Sequence, residues 1–269
     1  MIYDIHTKQA AETTLVELTG IPLVFWRINQ YRVKNYKCRD DFILAMIQEY
    51  GQKDHLPRKY TDMEFRYIHV TTSANECLSI RTSGIMDLRS AYSCVDSELR
   101  RFLNAHDIYI NLDNAILSYN NHNYDIYYGM YPDDEDSIEH LCWCVGRKFY
   151  YDYATCGFLS VMYKNPYGGL VHRRPEILLD LDRLLGTHLS EEWEESSSPY
   201  EIIAKVSGND ICYFGEENQS DEEKVLSYVG MAYDSAFHGL SEEVIIINNG
   251  VIIPPQDILE INPLSFWVD

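Results

Sequence analysis

The stretch Glu243-Val-Ile-Ile-Ile-Asn-Asn-Gly-Val-Ile-Ile253 constrains the fold more than any other part of the chain. Its β-branched runs favour extended backbone, because two heavy atoms on Cβ crowd a helical turn and suit a pleated surface. Asn249-Gly250 supplies residues that tolerate a tight turn, so the segment reads as two short strands or as one strand with a bulge. Pro254-Pro255 break the run, and Ile258–Ile261 continues along a final edge.

Strands need partners, and the rest of the chain offers them. Phe65–Thr71 is rich in aromatic and β-branched residues and predicts a strand. Ile108–Ile110, Phe149–Tyr151 and Tyr200–Val206 read the same way, and a further tyrosine-rich stretch lies near Tyr124–Tyr131. Helical signals lie between them. Arg39–Tyr50 has acidic residues near its start and apolar residues at helical spacing. Ser73-Ala-Asn-Glu76 has the pattern of a capping box before Cys77, Leu78 and Ile80, with Gly84 as the stop. Residues 96–104 and 224–237 also predict helices, Ala11–Glu17 a weak one, and Ala154–Tyr163 another. Glu176–Leu185 fits both periodicities, Ser190–Ser198 is a loop or short helix, and Tyr167-Gly-Gly is a turn. Together these predict an α+β fold built on a curved, mostly antiparallel sheet with short flanking helices.

Composition narrows the class. The 269 residues are 46% hydrophobic, enough for a real core. The 22 basic against 42 acidic residues leave a net charge of −20, which makes indiscriminate, backbone-driven nucleic-acid binding a poor default. A local basic patch could still touch nucleic acid. Ile21–Trp26, read as extended, and Phe42–Ile47 fall far short of the roughly 18 apolar residues a membrane span needs. The start, MIYDIHTKQ, has no basic, then apolar, secretory pattern. Seven cysteines at irregular spacing predict free thiols and a cytoplasmic location, with no membrane partner. His140-Leu-Cys142-Trp-Cys144 is a poor zinc site, since only one residue separates the cysteines; strand alternation would place both on one buried face. No metal is expected. Asp133–Glu139 reads as a solvated acidic insertion near residues 132–140.

The common nucleotide, zinc-protease and hydrolase motifs are missing. Three positions nonetheless invite chemistry. His69 lies in a strand before a helix start; it is either a satisfied half-buried histidine or a donor to a ribose hydroxyl, with Val70 backbone groups and the Thr71 hydroxyl completing a polar patch. Glu243 abuts a strand; it is either a solvated gatekeeper or a carboxylate that stabilises oxocarbenium character at an anomeric carbon. Glu242 would point to the opposite face. Tyr150 or Tyr151 could stack on a flat amide ring, and Tyr150 is favoured.

In order along the chain, these pieces resemble the ADP-ribosyltransferase superfamily. Tyr67-Ile-His-Val-Thr71 with Ala74–Ile80 and Ser83-Gly-Ile85 resembles its opening strand, helix and glycine turn. Gly146–Ala154 resembles the middle strand of the histidine–tyrosine–glutamate branch, and Ser241–Ile247 the closing strand that starts at the catalytic glutamate. The opening motif is most similar to bacterial DNA-modifying toxins, the middle one to the poly-ADP-ribose-polymerase-like branch. Val70 stands where the family often has glycine, and the paired glutamates of the arginine-specific branch are absent because residue 241 is serine.

The resemblance implies a curved split sheet over residues 61–269, preceded by an accessory segment at 1–60. It implies an NAD-dependent mono-ADP-ribosyltransferase acting on a protein or nucleic-acid target, in a toxin or phage-defence setting with an antitoxin or regulator. His69 would contact the ribose and orient NAD, and the Val70 backbone would hold the nicotinamide carboxamide with the Thr71 hydroxyl in the same cofactor patch. Tyr150 or Tyr151 would stack on the nicotinamide ring, and Arg81, with Arg89, Arg100 and Arg101, would guide the NAD phosphates or a target backbone. Glu243 would promote departure of nicotinamide. The alternatives are a non-enzymatic acidic interaction or regulatory protein and an NAD glycohydrolase.

Overall fold

A computed structural model describes residues 1–51, 55–127, 129–161, 170–213 and 219–264. Its strands are β1 (Ile2–Tyr3), β2 (Glu64–Ser73), β3 (Tyr109–Asn111), β4 (Ile116–Tyr119), β5 (His122–Asp125), β6 (Cys156–Ser160), β7 (Ser198–Ser207), β8 (Ile211–Cys212), β9 (Glu243–Ile247) and β10 (Ile258–Pro263). The first helices are α1 (Lys8–Thr19), α2 (Leu23–Asn29), α3 (Arg39–Tyr50), α4 (Leu78–Ser83) and α5 (Leu88–Ser93). They are followed by α6 (Glu98–Ala105), α7 (Ile138–Tyr150), α8 (Ile177–Leu185), α9 (Leu189–Ser196) and α10 (Asp221–Phe237).

The fold is α+β, but the curved split sheet expected from the resemblance is not what forms. Two separate open sheets are present: one in the order β10-β7-β2-β6-β9-β8, with β1 added on β2, and a three-stranded meander β3-β4-β5. The meander accounts for residues 109–125, where β4 pairs antiparallel with both neighbours and is joined to β5 through the tight turn at Asn120 and Asn121.

By internal contacts the chain divides into two compact units. One comprises residues 1–68, 156–164 and 204–246; the other comprises 69–155, 165–203 and 247–269. In the first, α1 and α3 pack on α10, and β1 runs parallel to β2 with Tyr3 opposite Phe65. Tyr3 is fully buried and donates its hydroxyl to the Tyr228 carbonyl at 2.8 Å. Trp26 and Phe42 each place their ring centroid 5.6 Å from that of Tyr233. Ile21–Trp26 is therefore not extended. Pro22 stands at the cap of α2, a position that suits its missing N–H, and the helix turns Trp26 and Asn29 inward together.

β6 corrects a second expectation, since Ala154–Tyr163 was read as a helix. Phe158 is opposite Ile68 of β2 on one side and Val244 of β9 on the other. A strand covered on both edges and both faces shows a nearly unbroken apolar run, which carries no alternation to distinguish it from a helix.

In the second unit the core gathers Tyr92, Leu103, Leu117, Val145, Phe149, Leu181 and Trp193. Phe149–Tyr151, expected as a strand, is the end of α7. Cys142, Val145 and Phe149 recur at helical spacing and are buried, and Ser137 caps the helix by accepting from the His140 N–H. Helical geometry also separates the two cysteines: Cys142 is buried and Cys144 half-buried, and not alternating along a strand. The Ser73–Glu76 capping box does not form. Ser73 ends β2, its hydroxyl accepts from the Cys77 N–H, and Glu98, 25 residues away, accepts from the Ser73 hydroxyl and the Ala74 N–H. Trp193 donates to the Thr72 hydroxyl at 2.8 Å. Asp87, buried at the cap of α5, accepts from Ser90 at 2.6 Å and from Gly250 at 2.7 Å, holding the Asn249-Gly250 turn. The turn expected at Tyr167-Gly-Gly lies outside the described residues, as does part of the polar segment after Cys212.

Candidate functional site

Glu243 opens β9 and is half-buried. It pairs with Ser160 of β6 at a place where the register shifts between Phe158 and Ser160, the signature of a bulge. A bulge leaves one residue unpaired and re-aims the side chains beside it, which is why bulges recur next to reactive groups. Here it is tied by a short chain of hydrogen bonds. The fully buried Ser160 hydroxyl donates to the Ser241 carbonyl, and the Ser241 hydroxyl donates to the Glu243 carboxylate. Glu243 forms no ion pair with a described residue. Its field reaches the core: burial pushes the Tyr3 phenol well above its ordinary range, and Tyr228 and Glu243 add to the effect.

The remaining nominated residues lie in the other unit. His69, Val70 and Thr71 are consecutive on β2; Val70 is buried and its neighbours half-buried, so His69 and Thr71 share one face and Val70 takes the opposite one. Arg81 projects from α4 and returns its Nε–H to the Glu76 carbonyl at 3.0 Å, closing the left-handed turn at Glu76 and Cys77. Tyr150 ends α7, donates its hydroxyl to the Leu112 carbonyl at 2.7 Å and carries the Arg89 guanidinium 5.1 Å above its ring. Burial raises its phenol above the ordinary range, against the lowering field of Arg89. Tyr151, the next residue, is 68% exposed.

Sequence reasoning missed Ser160, whose role depends on a register shift, and Ser241, noted only as the residue that is not glutamate. It read the tyrosines of 124–131 and the acidic residues of 133–139 separately and did not bring them together as the lining of the cleft described below. The described residues contain no group of three or more histidine, cysteine or acidic side chains placed to hold a metal ion. All seven cysteines are free thiols. No helix among the described residues is long and apolar enough to cross a membrane. Comparison with protein-family models, with curated proteins and with solved structures finds no match.

Proposed function

We propose that the chain is an NAD-consuming mono-ADP-ribosyltransferase in which Glu243 promotes loss of nicotinamide. One observation carries the reading: a half-buried carboxylate at the mouth of a strand, beside a bulge, held by a serine hydroxyl and without a cationic partner among the described residues. Such a group is oriented but not neutralised. When the bond between the ribose C1′ and the nicotinamide nitrogen breaks, its electron pair leaves with nicotinamide and positive charge grows on the sugar. A carboxylate about 4 Å from that charge, at an effective dielectric near 20, contributes about 4 kcal/mol of attraction. That is roughly a thousandfold in rate if it acts only on the transition state. A nucleophile of the acceptor then bonds to C1′ and gives up its proton.

An anionic acceptor has a surface to meet in the same unit. Residues 18–39 carry Arg27, Arg32, Lys34, Lys37 and Arg39 and no acidic residue. Arg27, Arg32 and Arg39 pair with Glu12, Glu49 and the carboxylates of Asp40 and Asp234, which leaves Lys34 and Lys37 as the cations without an ion pair among the described residues. Tyr31 in that stretch is 63% exposed and Ile28 is 61% exposed. Lys34 and Lys37 beside these exposed side chains are what this surface offers a nucleic-acid target, the acceptor a toxin-like role would modify. The free thiols support a reducing, cytoplasmic setting.

The test is incubation with labelled NAD and separate pools of cell protein, DNA and RNA. Label should pass to a macromolecule, with the nucleic-acid pools preferred, and Glu243→Gln should remove nearly all transfer. Release of nicotinamide with no labelled macromolecule would replace the transferase with a glycohydrolase. Failure to bind or consume NAD in every pool would leave the non-enzymatic interaction protein as the better account.

A further inference from the structure

A second feature lies within the 69–155 stretch, away from Glu243 in the chain and independent of its chemistry. Where β5 leads toward α7, the surface opens into a cleft of about 430 Å³. Tyr124, Tyr127 and Trp143 supply aromatic rings, Met130 a polarizable thioether, and Asp125 and Glu139 carboxylates. No lysine or arginine is among its described lining residues. Neither carboxylate forms an ion pair with a described residue; Asp125 only accepts from the Tyr127 N–H at 2.9 Å. Both nevertheless act on the buried Cys142 at the cleft wall, whose thiol burial first, then Asp125 and Glu139, push up to about 11.

The aromatic wall is held in place. Trp143 donates its indole N–H to the Gly129 carbonyl at 3.3 Å, and the Tyr131 ring stands edge-on to it, 4.8 Å between centroids. The indole is itself partly covered, with the Arg147 guanidinium 5.6 Å from its ring centroid and the His140 ring stacked on it at 6.0 Å, so Tyr124 and Tyr127 must supply much of the aromatic surface a cation meets. Aromatic faces attract cations through their negative quadrupole, most strongly when the cation's own hydration is weak. Uncompensated carboxylates beside such rings add a charge that no basic lining residue cancels. The volume is ample for one compact organic head group.

We propose that this cleft binds an alkylated ammonium group, either on a small molecule or on a modified lysine side chain. The probes are choline, its neutral isostere 3,3-dimethylbutanol, and a peptide bearing trimethyl-lysine, each titrated into the full chain while the Trp143 indole N–H resonance is followed by NMR. Assignment comes from Trp143→Phe. Choline or the peptide should shift that resonance saturably, and the isostere should bind roughly tenfold more weakly, as loss of one cation–π contact with its charge pairing requires. Tyr127→Ala and Glu139→Gln should each weaken binding severalfold. Both positions are exposed, so neither substitution threatens folding. Whichever of choline and the peptide binds tighter identifies the source of the cation. Equal binding of choline and its isostere, a shift that survives the Tyr127→Ala, Glu139→Gln double variant, or no saturable shift with any probe would overturn the proposal.

Discussion

Gly157→Ala tests the packing on which the central strands depend. Gly157 sits on β6, opposite Ile245 of β9 and beside Ile68 and Tyr67 of β2. A Cβ added there would stand 2.6 Å from the Ile68 carbonyl oxygen and closer still to two ring carbons of Tyr67. Ordinary contact begins near 3.4 Å, so the neighbours would have to yield by close to an ångström. They have little room to do so. Tyr67 is fully buried, and Ile68 is held in register by Phe158. Interiors pack like organic crystals, and forcing one extra carbon into a filled site costs about 1–3 kcal/mol. Two obstructed directions, one of them backbone, place this site at the upper end, about 3 kcal/mol. Urea unfolding followed by far-UV circular dichroism should show a lower midpoint with an unchanged slope. Tyr67→Leu in the same background should recover part of the loss, giving a coupling of about 1 kcal/mol or more in the double-mutant cycle. An unchanged midpoint in Gly157→Ala, or strict additivity with Tyr67→Leu, would refute the contact between β6 and Tyr67.

Two further substitutions probe the other unit. Asp87→Ala removes the acceptor shared by the Ser90 and Gly250 amides, and should cost about 2–4 kcal/mol, the sum of a helix cap and a charged hydrogen bond. Exchange of the Gly250 amide proton should accelerate with it; an unaltered rate would contradict the tie between α5 and the turn. Asp182 accepts from the Thr187 hydroxyl, the Leu189 amide, and the amide and hydroxyl of Ser190. Burial acts to raise its pKa, but the Ser190, Thr187 and Leu189 hydrogen bonds together hold it below the ordinary range. Its contribution to stability is therefore fully present above the unfolded-state value, near 3.9, and lost as pH falls through the lower folded-state value. Asp182→Asn should cost about 1–2 kcal/mol at neutral pH, a difference that shrinks in acid. A difference independent of pH would contradict the assignment.

Which elements were legible follows from where their determinants lie. α3 runs over Arg39–Tyr50 as its spacing predicts, because acidic first-turn residues and the buried Phe42, Ile43, Met46 and Ile47 are all local. β9, the Asn249-Gly250 turn and β10 were readable for the same reason, and Gly250 takes the positive φ that the turn demands; the second strand expected after that turn does not form, because Ile253 makes only an isolated bridge to Ile85. The failures trace to partners distant in sequence. Phe149–Tyr151 has strand-like composition, yet Phe149 is buried as part of a helical stripe that starts at Cys142. Ser73 does cap the backbone that follows it, but the carboxylate that completes the arrangement is Glu98 and not Glu76. The curved ADP-ribosyltransferase-like sheet was inferred from local strand signals and from short motifs in order, and neither determines how strands are distributed between sheets. At the candidate site, Glu243 was visible as an acid abutting a β-branched run. Ser160 was not, since only the pairing of β6 with β9 brings it opposite Glu243.

The most direct measurement of the central claim is nicotinamide release from NAD, followed by proton NMR, for the native chain and Glu243→Gln at matched thermal stability. The account predicts release that rises when the acceptor pool is added and falls roughly a thousandfold in the variant. Equal rates for the two proteins, or no release from the native chain with any acceptor, would contradict it.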